Sequence, residues 1–135
     1  MTDMELMALA HKAREQAYCP YSGFAVGAAL LDADGNVWTG CNIENAAYGP
    51  TNCAERTAFF KAVSEGVRKF DRIAITGGPA DQAPKAGTAP CGVCRQVMAE
   101  FCTPDFVVLL ADEQGGVKSL TLAELFPFGF GPTSL

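Results

Sequence analysis

Nowhere does this 135-residue chain approach the roughly 20 consecutive apolar residues of a membrane-spanning helix, and its ten Lys and Arg residues are scattered. The first absence argues against a helical membrane anchor. The second, with 15 Asp and Glu and a formal net charge of −5, leaves no basic groove to neutralise phosphates, so nucleic acid is not the expected partner. A small uncharged or weakly charged molecule suits this balance better. Met1 to Met7 carry Asp3 and Glu5 and lack a basic start followed by an apolar run, so they do not read as a signal peptide. Histidine is nearly absent. His11, the only one, falls in a helical pattern and reads as an ordinary surface or boundary residue. There is no internal repeat and no low-complexity linker. With 49% hydrophobic residues, residues 1–135 are expected to form one domain around one core. Six cysteines without a secretory signal then fit a reduced, cytosolic protein, where thiols bind metal or pack as small hydrophobes.

What the chain does contain is a spaced set of thiols with one carboxylate. Cys53-Ala54-Glu55 lies far upstream of Pro90-Cys91-Gly92-Val93-Cys94. Zinc prefers four tetrahedral ligands, and three protein ligands leave one position open for water or substrate. A metal in such a site lowers the pKa of its water to roughly 7. Glu55 stands two residues after a candidate ligand, near the metal but badly placed to turn back and bind it, which suits it to moving protons. Taken alone, Cys91-x-x-Cys94 could be a redox pair, half of a structural zinc site or two unrelated thiols. A structural zinc ribbon needs a second ligand pair, and upstream there is only Cys53. Cys53, Glu55, Cys91 and Cys94 therefore form one candidate catalytic constellation, while Cys19, Cys41 and Cys102 look like packing residues.

Periodicity and punctuation outline an α/β chain. Thr2 caps a helix in which Leu6, Leu9, Ala10, Ala13 and Ala17 recur at helical spacing until Pro20 stops it. Ala25 to Leu31 and Val37 to Cys41 read as strands joined at Asp34-Gly35. A polar loop spans Asn42 to Asn52, and Ala54 to Glu65 forms the second helix. Arg72 to Thr76 is the third strand and Gly77 to Pro90 the longest loop. Cys91 to Phe101 is the third helix, Phe106 to Ala111 the fourth strand, and Val117 to Leu120 a short fifth strand after Gly115-Gly116. A helical turn at Leu122 to Leu125 follows. The pattern predicts a mixed sheet whose parallel core is reached through the two central helices.

Both thiol segments fall at helix starts, where unpaired N–H groups and the positive dipole end favour thiolates. Three thiolates on one divalent zinc leave a net charge of −1 and blunt its acidity. Arg56, next to Glu55, is a candidate to withdraw that charge by donating to ligand sulfurs; a surface ion pair is the competing role.

Four blocks carry a family likeness: Tyr21-Ser22-Gly23-Phe24-Ala25-Val26-Gly27-Ala28-Ala29, Gly40-Cys41-Asn42-Ile43-Glu44-Asn45-Ala46-Ala47-Tyr48, Cys53-Ala54-Glu55-Arg56-Thr57-Ala58 and Pro90-Cys91-Gly92-Val93-Cys94-Arg95-Gln96-Val97. The Cys-x-Glu and Pro-Cys-x-x-Cys spacing is the general signature of zinc nucleobase deaminases. Together, in this order, the blocks closely resemble the small homotetrameric cytidine deaminases. The resemblance implies a three-layer α/β/α fold with a mixed five-stranded sheet, and hydrolysis of cytidine and 2′-deoxycytidine to the uridines with loss of ammonia. It implies one Zn2+ per chain on Cys53, Cys91 and Cys94. Glu55 would take the proton of the zinc-bound water, pass it to ring N3 and later protonate the amino group. It further implies that Asn42 and Glu44 hold the ribose 3′-hydroxyl, Phe24 walls the pocket, and Ala54 meets the base edge through its backbone. Ala46, Tyr48 and the C-terminal Phe130 would come from neighbouring subunits of a homotetramer, Phe130 stacking on the base. Without the likeness, Asn42 and Glu44 would read as solvated turn residues, Phe24 as core, and Phe126, Phe128 and Phe130 as an apolar tail buried on a partner.

Three other readings share part of the pattern. A deaminase of a nucleoside antibiotic such as blasticidin S has the metal motifs but matches the Phe24 and Asn42-to-Tyr48 blocks less well. A nucleic-acid-editing deaminase has the chemistry but conflicts with the acidic charge. A non-catalytic, zinc-stabilised binding module would leave Glu55 without a purpose.

Overall fold

A computed structural model describes residues 1–135. The elements are α1 (Asp3–Arg14), β1 (Phe24–Asp32), β2 (Val37–Cys41), α2 (Ala54–Ser64), β3 (Phe70–Pro79), α3 (Gly92–Phe101), β4 (Val107–Ala111), β5 (Val117–Thr121), α4 (Leu122–Leu125) and a closing 3-10 turn (Pro132–Ser134). One five-stranded sheet has the order β2-β1-β3-β4-β5. Only β3 and β4 pair in parallel; every other neighbouring pair is antiparallel.

The sheet is buried on both faces because its strands alternate apolar residues with apolar residues. Ala28, Leu30, Ile73, Ile75, Val108 and Leu110 point to the side that holds Ala54, Ala58 and Phe59 of α2 and Met98 of α3. The residues that alternate with them, Ala29, Leu31, Ala74 and Leu109, meet Leu6, Met7 and Ala10 of α1. The result is the expected three-layer α/β/α arrangement. It puts His11, on α1, on the opposite face of the sheet from the thiol-bearing helices.

Two glycines set how closely the helices seat. An added Cβ at Gly27 would lie 2.1 Å from the Ala10 carbonyl oxygen, and one at Gly40 would lie 2.4 Å from the Ala54 carbonyl oxygen and 2.7 Å from the Ala58 nitrogen. Gly40 thereby lets the first turn of α2 rest directly on β2.

The parallel core is smaller than the pattern predicted. α2 carries the chain from β2 over β1 to β3, and since β1 lies between them only the α3 crossover joins parallel neighbours. The first helix ends at Arg14 and not at Pro20: successive turn bonds replace the α-helical ladder from Glu15 to Ala17. Arg14 is then free to clamp the far side, donating from Nε to the Ala25 carbonyl at 2.9 Å and from Nη2 to the Gly78 and Pro79 carbonyls at 3.0 and 2.7 Å. β3 also runs on through Gly77 to Pro79, shortening the long loop, because β1 pairs with it as far as Phe24 opposite Pro79. The Thr2 capping box with Glu5 and the Leu122–Leu125 turn agree with the sequence pattern.

Candidate active site

Cys53 and Cys91 occupy the N-cap positions of α2 and α3, and Cys94 sits in the first turn of α3. Neither cap uses its side chain to bond the helix, so both sulfurs are free to face each other. The three sulfurs lie within 4.8 Å of one another, with Cys53 Sγ 3.7 Å from Cys91 Sγ and Cys91 Sγ 3.5 Å from Cys94 Sγ. A disulfide would need about 2.05 Å. A tetrahedral site with Zn–S bonds of about 2.3 Å spaces its sulfurs by about 3.8 Å, so the cluster fits one zinc ion with three thiolates. Soft sulfur donors favour zinc over magnesium, calcium or manganese.

Charge within the cluster is unevenly shared. A hydrogen bond from Cys94 draws Cys53 down to about 5, and Arg56 and Cys91 add to this against the cost of burial. Cys94 moves the other way, raised by holding the proton it shares with Cys53 and by burial. Arg56 Nη2 donates to Cys53 Sγ at 3.2 Å, which makes Arg56 a partner of the cluster and not a surface ion-pair residue. Glu55, only 4% exposed, is pushed up to about 7 by burial, and the nearby Cys53 charge raises it further against bonds from its own backbone and Cys94. A carboxyl held near neutrality beside three thiols can both accept and release a proton.

The polar loop is brought onto the end of β1. Asn42 Oδ1 accepts from Val26 N at 2.8 Å while its Nδ2 donates to the Phe24 carbonyl at 2.8 Å. Asn42 is thus a bracket on the strand, with one N–H and one lone pair remaining. Glu44 accepts from Tyr21 N, Ser22 N and Ser22 Oγ, which holds its carboxyl below the ordinary range, the Ser22 hydroxyl acting most strongly. Phe24 is 37% exposed, half wall and half core, and its ring edge would lie 3.1 Å from a Cβ added at Gly77. Ala54 is fully buried at the start of α2.

Ala46, Tyr48 and Phe130 are exposed within one chain. Tyr48 adopts φ 60° and meets Tyr21 edge-on with ring centroids 6.4 Å apart. Phe130 is fixed by its backbone, its carbonyl accepting from Gln96 Nε2 at 2.7 Å, while Phe128 is fully exposed. A cavity of about 590 Å³ lies between the end of α3 and this tail, lined by residues such as Cys102, Pro104, Phe126 and Phe128, away from the thiols. Residue spacing had not revealed the seat at Gly40 or the link from Ser22 to Glu44. The signals were a lone glycine inside an apolar strand and Ser-Gly at a turn, neither of which names its distant contact.

The family model of the cytidine and deoxycytidylate deaminase zinc-binding region matches residues 1–110. A cytidine deaminase of Sporosarcina psychrophila is 53% identical over 134 residues, covering 97% of this chain and 93% of that protein. One from Halalkalibacterium halodurans is 55% identical over 119 residues, 88% of this chain and 86% of that protein. The crystal structure of cytidine deaminase from Burkholderia pseudomallei superposes with a TM-score of 0.85 at 48% identity, covering 96% of this chain and all of that one. Thiol geometry, sheet order and similarity along nearly the whole length agree: the chain belongs to the cytidine and deoxycytidylate deaminase family.

Proposed function

We propose that residues 1–135 act as one catalytic domain that hydrolyses cytidine and 2′-deoxycytidine to uridine and 2′-deoxyuridine. The observation that carries this is Glu55, a buried carboxyl pushed up to about 7 two residues from a thiol of a zinc-sized cluster. Cys53, Cys91 and Cys94 would hold zinc, which when bound supplies a Lewis acid that acidifies the attacking water. Glu55 takes a proton from that water as its oxygen bonds to C4 of the base, and passes the proton to ring N3. It then takes the proton left on the C4 hydroxyl and delivers it to the amino group, so that the C4–N4 bond breaks, the C4 carbonyl forms and ammonia leaves. A single side chain serves in both directions because, buried beside the thiols, it lies within reach of both the water and the ring, as base first and acid second.

Phe24 flanks the base, the backbone at Ala54 faces its edge, and Asn42 and Glu44 hold the ribose 3′-hydroxyl. Ala46, Tyr48 and Phe130 complete the pocket of a neighbouring subunit in a homotetramer, with Phe130 stacking on the base. Their exposure in the single chain, and that of Phe128 beside them, supports a role against a partner. Six free cysteines suit a reducing, cytoplasmic setting, and no helix is long and apolar enough to cross a membrane.

The test is loss of cytidine absorbance by zinc-loaded protein, with Glu55→Gln alongside. We expect turnover by the native chain and a loss of about 10²–10⁴-fold or more in the variant, the usual span for general acid–base groups, with zinc content retained. Full activity in a folded, zinc-bound Glu55→Gln protein would remove Glu55 from the mechanism. Absence of cytidine turnover by the native holoprotein would transfer the assignment to blasticidin S, if that is deaminated, or to a binding module.

A further inference from the structure

Glu44 presents only one acceptor position to a ligand, and Ser22 decides where it points. Its Oε1 accepts from Tyr21 N at 2.9 Å and from Ser22 N at 3.1 Å, which occupies both lone-pair directions of that oxygen. Oε2 accepts from Ser22 Oγ at 2.5 Å and keeps one direction open. Ser22 Oγ in turn accepts from Phe24 N at 3.0 Å. A hydroxyl has a single proton; because the Phe24 contact uses Ser22 as acceptor, that proton must lie towards Glu44. The chain of donors therefore runs Phe24 N–H to Ser22 O–H to Glu44, and its direction is fixed. Gly23, at φ 68°, makes the tight turn that brings the amide of Phe24 over the Ser22 hydroxyl.

We infer that Ser22 is a positioning residue that sets substrate specificity by fixing the open lone pair of Glu44 relative to the Phe24 ring, so that the site selects nucleosides carrying a free sugar 3′-hydroxyl. This rests on the proposed contact of Glu44 with that hydroxyl. The ionised carboxylate, held in that state chiefly by the Ser22 hydrogen bond, has no proton to give and can recognise only a donor. Losing the Ser22 hydroxyl frees Glu44 to rotate and leaves the Phe24 amide without its partner. The effect falls on binding of the sugar, so it belongs in KM more than in kcat. Ser22 is exposed, which leaves room for the extra methyl of threonine.

The experiment compares cytidine with 3′-deoxycytidine as substrates of zinc-loaded native protein, Ser22→Ala and Ser22→Thr, with melting temperature and circular dichroism as folding controls. We expect native protein to favour cytidine in kcat/KM by roughly tenfold or more, the value of a hydrogen bond to a charged group. Ser22→Ala should lose most of that preference through a raised KM for cytidine, and Ser22→Thr should restore it. If native protein prefers cytidine and Ser22→Ala keeps the same ratio, whether or not its overall rate falls, the role of Ser22 is overturned while the Glu44 contact stands. If native protein does not distinguish the two substrates, the Glu44 contact itself fails and the inference fails with it.

Discussion

Arg56 Nη2 and Cys53 Sγ are 3.2 Å apart, so a guanidinium in the first turn of α2 donates to the thiol that caps the same helix. The contact is local, since three residues on a helix bring side chains to one face. Its expected consequence is electrostatic: with a divalent ion bound, the fixed positive charge would offset the excess negative charge of three thiolates.

Replacing Arg56 with Gln removes that charge and leaves the core of α2 intact. Zinc affinity should fall by about 10–100-fold, as for other groups that support metal ligands, and turnover should fall with it, while the melting curve of the zinc-saturated protein changes little. Competition with a chromophoric chelator reads the affinity. Unchanged zinc retention and turnover would remove Arg56 from the site.

Stripping the metal exposes the uneven sharing of protons among the thiols. With Cys53 drawn down to about 5 by Cys94, Arg56 and Cys91, it is a thiolate above that pH, whereas the raised Cys94 stays protonated. Iodoacetamide at about pH 6 should alkylate Cys53 well before Cys94 or the half-buried Cys102, because the thiolate is the nucleophile. Added zinc should protect it. Peptide mass spectrometry that found Cys53 no more reactive than Cys102 would contradict the assignment.

Gly40→Ala and Gly27→Ala separate stability from site geometry. Each added Cβ meets helix backbone, at 2.4 Å from Ala54 O and 2.1 Å from Ala10 O respectively, and overpacking of this kind costs about 1–3 kcal/mol or more. Both variants should melt earlier. Only Gly40→Ala pushes on the turn that carries Cys53 and Glu55, so it alone should weaken zinc binding in the protein that remains folded. Equal losses of zinc affinity in the two variants would argue against a seating role for Gly40.

Asp32 gives a pH-dependent contribution away from the metal. It is 3% exposed and accepts from Asp34 N and Asn36 N at 2.9 Å each and from Trp38 Nε1 at 3.0 Å. Burial pushes its pKa up, but these bonds outweigh it and hold the carboxyl below its usual 3.8. A carboxyl lowered by folding adds stability that is complete above the unfolded value and disappears as pH falls through the folded one. Asp32→Asn should therefore cost about 1–3 kcal/mol near neutral pH, and the gap should close below about pH 3.8. Fluorescence of Trp38, the only tryptophan, follows both unfolding and this contact. A gap that persists undiminished into acid would rule out the carboxylate as its source.

Local spacing determined much of this protein. Cys53, Glu55, Cys91 and Cys94 were legible because ligand spacing and helix starts are short-range properties, and so were the Thr2 cap, the Asp34-Gly35 turn and the alternation of apolar strands. Arg56 could be singled out for the same reason, its target lying three residues away. Tertiary structure decided what depends on contacts distant in sequence. β1 inserted between β2 and β3, and so reduced the parallel core to one pair, because strand order is set by which apolar faces pack together and not by the pattern within any strand. Helix α1 stopped at Arg14, where the guanidinium gained carbonyl partners from β1, the end of β3 and the following loop. Gly40 became the seat of the active-site helix, and Ser22 the anchor of Glu44. A glycine in a strand or a serine in a turn carries no record of its partner; only the folded chain brings that partner within a few ångströms.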